Sequence, residues 1–87
     1  MLFKVIYRTE IHVLNSTQKL TYEELLKFVR TAFSRVPSSF TLTYIDSDED
    51  VISIHNDSDL KILQESGISR VKIIITEDEN RFFDQTQ

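Results

Sequence analysis

The strongest constraint on this fold is the segment Leu20-Thr21-Tyr22-Glu23-Glu24-Leu25. A threonine followed three residues later by glutamate is the reciprocal capping box, and Leu20 and Leu25 stand where a hydrophobic staple forms. Leu25, Phe28, Val29, Ala32 and Phe33 then recur at helical spacing, leaving Glu23, Lys27 and Arg30 for the solvent face. The helix should stop near Ser34, because residues ahead of Pro37 avoid helical geometry. One amphipathic helix needs a sheet or a second helix to cover its apolar face, and the rest of the chain alternates with a period of two.

Phe3, Val5 and Tyr7 point to one side of a strand whose other side carries Lys4, Ile6 and Arg8. A turn at Thr9-Glu10 leads to a second arm over Ile11, His12, Val13 and Leu14. Phe40, Leu42 and Tyr44 alternate with Thr41, Thr43 and Ile45 as a third strand, and Val51–Ile54 is a short fourth with Ile52 and Ile54 inward. Asn56 caps a second helix of about two turns seated by Leu60, Ile62 and Leu63 and closed by Gly67. Val71, Ile73 and Ile75 define a fifth strand. The order ββαββαβ is that of an α+β, ubiquitin-like β-grasp roll, a mixed sheet packed on one main helix. Residues 1–77 form that domain, and 78–87 read as an acidic tail or the start of a linker.

Eighty-seven residues hold one modest core. The absence of cysteine removes disulfides, thiolate metal sites and a cysteine nucleophile, and it suits the cytoplasm. No apolar run is long enough to span a membrane. Enzyme chemistry lacks its parts, with no Gly-rich phosphate loop, no Ser-His-Asp set on strand ends and no His-x-x-x-His pair, so the chain reads as a non-enzyme without a cofactor.

The net charge of −4 hides a division. Asp46, Asp48, Glu49, Asp50, Asp57 and Asp59 fall within one stretch that contains no Lys or Arg. Dispersed bases and a large acidic segment argue against nucleic acid. Asp46, Asp48 and Asp50 match the first three ligand positions of a calcium loop. Val51 stands where the loop's sharp turn wants Gly, however, and Asp57 where a bidentate Glu belongs, so a calcium-binding acidic loop stands only as the poorer alternative.

The pattern Tyr44-x-Asp46-x-Asp48-x-Asp50-x-Ile52-x-Ile54-x-x-Asp57-x-Asp59-Leu60 resembles the acidic OPCA motif of the Phox-and-Bem (PB-one) domains. Phe3-Lys4-Val5 is similar to that family's first-strand signature, and Leu20–Leu25 to the start of its first helix. The resemblance covers about residues 2–76. It implies a protein-protein interaction module of mixed type I/II, acting as a signalling scaffold. Its partner would be a PB-one domain of another protein, or of a second copy in a head-to-tail homo-oligomer. Asp46, Asp48, Glu49, Asp50, Asp57 and Asp59 would be the acidic half of the contact; Lys4, with Arg8 and secondarily His12, would be the basic half. Glu49 stands where the family usually has Gly, and Ser47 and Ser58 stand where many members carry acids. The rival class is another ubiquitin-like binding domain that docks a small GTPase or a peptide, for which the acids would be incidental.

Overall fold

The computed structural model describes residues 1–77, so the tail or linker assigned to 78–87 lies outside the described residues. Seven elements follow one another: β1 (Leu2–Tyr7), β2 (Glu10–Asn15), α1 (Tyr22–Ala32), β3 (Phe40–Ile45), β4 (Val51–Ile54), α2 (Asp57–Gln64) and β5 (Arg70–Glu77). The strands form one sheet in the order β2-β1-β5-β3-β4. β1 and β5 run parallel at its centre, and the other neighbours are antiparallel. The expected ββαββαβ order and mixed sheet are both present.

The period-two alternation decides which side of the sheet is dry. Phe3, Val5 and Tyr7 of β1, Leu42 and Tyr44 of β3, Ile54 of β4, and Val71, Ile73 and Ile75 of β5 are buried on one face. Leu25 and Val29 of α1, Phe33 just after it, and Leu60 and Leu63 of α2 close over them. The Tyr7 and Phe33 rings meet edge to face, with centroids 6.2 Å apart. No charged or polar side chain is buried among the described residues, so apolar burial carries this core unaided. Neither helix is long and apolar enough to cross a membrane.

The capping box closes as the spacing requires: Glu24 N–H donates to Thr21 Oγ1 at 3.1 Å, and Thr21 N–H donates to Glu24 Oε1 at 2.9 Å. α1 ends at Ala32, two residues before the expected stop. At α2, Asn56 is the N-cap and accepts from Asp59 N–H at 2.9 Å. Gly67 takes the left-handed φ of +89° that reverses the chain toward β5.

Two local expectations shift. The β1–β2 register pairs Tyr7 with Glu10, so the turn residues are Arg8 and Thr9 rather than Thr9 and Glu10, and Arg8 itself adopts a φ of 56°. Ile62 is 67% exposed, since a helix that seats Leu60 and Leu63 on the core turns the residue between them outward.

Candidate interaction faces

The acidic stretch is built in two pieces, the β3–β4 turn and the start of α2. β3 ends at Ile45 and β4 begins at Val51, and Asp46 organises the turn between them. Its backbone N–H donates to Asp50 O at 3.0 Å, and its carbonyl accepts from Glu49 N–H at 2.9 Å. Its carboxylate Oδ1 accepts from both Asp48 N–H and Asp50 N–H, at 3.0 and 2.9 Å. Glu49 completes the reversal with a left-handed φ of 66°, the geometry that glycine adopts at no steric cost. The side chains of Asp48, Glu49 and Asp50 stand exposed around the turn.

The second piece is the start of α2. Asp57 Oδ1 accepts from Tyr22 N–H at 2.6 Å, so it satisfies a free amide in the first turn of α1, across the fold. Asp59 Oδ2 accepts from His55 N–H at 2.9 Å. Asp57 and Asp59 both lie in the first turn of their own helix, where its dipole favours negative charge. The Tyr44 hydroxyl reports on both pieces: burial raises its pKa above the ordinary 10.0, and the negative charges of Asp46 and Asp59 push it further up. One carboxylate of each piece, Asp46 from the turn and Asp59 from the helix start, thus acts on the same buried tyrosine.

Asp46, Asp48 and Asp50 can bring carboxylate oxygens within 4.8 Å of one another. The chain after them pairs as β4, Ile45 opposite Val51, and runs away as a strand instead of wrapping round a cation. Among the described residues the ion pairs are Arg8–Glu77, His12–Glu10 and Lys19–Glu65, so none of the six clustered carboxylates is matched by a base there.

The basic candidates separate. Lys4 projects from the outer face of the sheet, the side away from both helices, with Val13 and Lys72 in register on either side. Arg8 does not continue that face. Its Nε and Nη2 donate to Glu77 Oε2 at 3.1 and 2.6 Å, and its guanidinium lies 5.3 Å from the Tyr7 ring centroid. The Glu77 hydrogen bond, followed by its charge, holds the Arg8 guanidinium above its usual range. His12 is on the helix side of β2, in register with buried Val5; its ring meets Phe33 edge-on at 4.6 Å and its Nε2 lies 2.7 Å from Glu10 Oε2. The structure therefore brings Lys4 together with Lys72, not with Arg8 or His12. Arg70, in register with Leu2, and Lys72 were not singled out from the sequence; the one available signal was Val71-Lys72-Ile73, which repeats the apolar-Lys-apolar pattern of Phe3-Lys4-Val5.

The β-grasp roll thus carries a run of exposed carboxylates and a lysine-bearing sheet face. The PB1 domain family matches residues 1–78, and the chain belongs to that family. Its fold is similar to the AtNBR1-PB1 domain, with a TM-score of 0.78 and 19% identity over 90% of this chain and 97% of that one. It is equally close to a cryo-EM structure of the AtNBR1-PB1 filament (L-type), with a TM-score of 0.77 and 21% identity over 90% of this chain and 97% of that one. No curated protein matches the sequence.

Proposed function

We propose that the domain binds PB1 domains head to tail, its acidic edge receiving a partner's lysine face and its own Lys4 face receiving a partner's acids. The observation that carries this is the separation of charge within one small roll. Six carboxylates without a matching base lie at the β3–β4 turn and α2, and Lys4 and Lys72 stand without a matching acid on the outer sheet, among the described residues. An exposed pair of opposite charges contributes only about 0.2–1 kcal/mol. Close pairs desolvated at an interface couple by roughly 1.5–7 kcal/mol, so the carboxylates act as a set.

The two surfaces differ, so the contact is heterologous, and repeating it without closure extends a chain of copies. The filament assembled by the AtNBR1-PB1 domain supports that outcome. A domain of another protein with a matching face is bound by the same chemistry. The task is binding.

The test is size-exclusion chromatography with light scattering over a concentration and salt series. Mass should grow with concentration at low salt and fall toward that of one chain as salt screens the contact. A single-chain mass at every concentration and at low salt would remove self-association. If a basic-faced PB1 domain then also failed to bind, the acidic grip would go with it.

A further inference from the structure

We propose that Lys72 is a second anchoring cation of the socket, equal in standing to Lys4, and that both grip the acidic turn of another copy. The inference rests on the head-to-tail reading and adds to it a residue on the last strand. β1 and β5 pair in parallel with Lys4 opposite Lys72, and since Phe3, Val5, Val71 and Ile73 all face the core, the two ammonium groups leave the sheet on the same side. Like charges in register on adjacent strands repel each other, and that repulsion is relieved by an anion lying between them.

Neither lysine has an acidic partner among the described residues, whereas Arg8 and Lys19 do. The chain's own acidic turn leaves the sheet from the end of β3, the strand next to β5, yet none of its carboxylates comes within ion-pair distance of Lys72. The charge of Lys72 is thus available to an outside group.

The surroundings are shaped to receive one. Leu2, Lys4, Arg70, Val71 and Lys72 line a depression beside β1, and Lys72 also borders a second depression with Ile45, Ile68 and Ile74. Ile45, Ile68 and Ile74 remain 56%, 38% and 37% exposed. Covering these apolar walls excludes water from the ammonium groups, which is the condition under which a charge pair strengthens an interface. Asp48, Glu49 and Asp50, exposed around a tight turn and without a base among the described residues, supply the complementary anion.

The experiment uses two capped copies that stop at a one-to-one complex. A Lys4→Glu/Lys72→Glu chain is the acid-offering copy, with both socket lysines reversed, and an Asp48→Ala/Asp50→Ala chain is the cation-offering copy, with two exposed acids of its turn removed; their affinity is measured by titration calorimetry at low salt. In the cation-offering copy, Lys72→Ala should weaken binding about 10-fold or more, and Lys72→Glu should abolish it. Lys72→Arg should retain most of the affinity, which separates charge from strand packing, and thermal melts should coincide for all variants. Lys27→Ala, on the exposed face of α1, is the control that should change nothing. If Lys72→Ala binds as tightly as its parent while Lys4→Ala in the same copy does not, the inference falls and the head-to-tail reading stands. If the two capped parents give no complex, the reading itself falls and takes the inference with it.

Discussion

The acidic edge and the lysine face are two halves of one proposed contact, yet they are built differently. On the acidic edge, the carboxylates of Asp46, Asp57 and Asp59 each hold backbone amides, so they shape the surface that displays them. On the lysine face, Lys4 and Lys72 hold nothing among the described residues, and the strand pairing beneath them is indifferent to their side chains. The difference teaches that loss of binding means different things on the two sides. A change at Asp46 acts on fold and contact together; a change at Lys4 acts on the contact alone.

The largest expected effect separates the acids among themselves. Asp48→Ala/Asp50→Ala should weaken binding to a basic-faced partner by about 100-fold or more with an unchanged melt, because these side chains hold no backbone group and lose two interfacial pairs together. Retained affinity, read by calorimetry, would assign the grip to Asp57 and Asp59 instead. Next comes Lys4→Ala, which should stop concentration-dependent growth in light scattering yet leave stability within about 0.5 kcal/mol of the parent, as surface changes usually do. A large loss of stability would end the contrast between the two faces.

Asp46→Ala should cost about 1–2 kcal/mol in denaturant unfolding, since it frees two amides that the carboxylate now satisfies. An unchanged midpoint would show that water replaces the carboxylate freely. A smaller gain is expected from Glu49→Gly: it relieves the left-handed strain at a φ of 66° but gives the unfolded chain more freedom, for a net stabilisation of at most about 1 kcal/mol. It also removes one exposed carboxylate, so binding should weaken slightly as stability rises.

The smallest effect tests whether the two acid groups share a field at Tyr44. Because its phenol is raised above 10.0 by burial and then by Asp46 and Asp59, its contribution to stability is present below pH 10 and is lost as pH rises through the raised value. Tyr44→Phe should flatten that alkaline limb, and Asp59→Asn should move the Tyr44 ionisation back toward 10.0 in an ultraviolet titration. No movement would place the helix start too far from Tyr44 to matter.

Much of this was legible in the chain itself, for a reason of range. Alternation with a period of two fixes which side chains of a strand face the core, and a capping box is closed within four residues, so Phe3, Val5, Leu25, Val29, Ile73 and the start of α1 follow from neighbours in sequence. The acidic motif is local in the same sense. Its division of labour was not legible: that Asp57 serves an amide of α1 rather than of its own helix depends on two segments thirty-five residues apart meeting. That Arg8 turns left-handed toward Glu77 depends on the two ends of the described chain lying together. His12 went with the Lys4 face only in the linear reading, because a cation's sheet face is set by register against β1 and not by its place in the motif. Sequence alone determined the roll, its core face and the acidic stretch. Only the tertiary structure decided that Lys72 stands beside Lys4, because a parallel pairing between the first and last strands is a long-range event that no local pattern encodes.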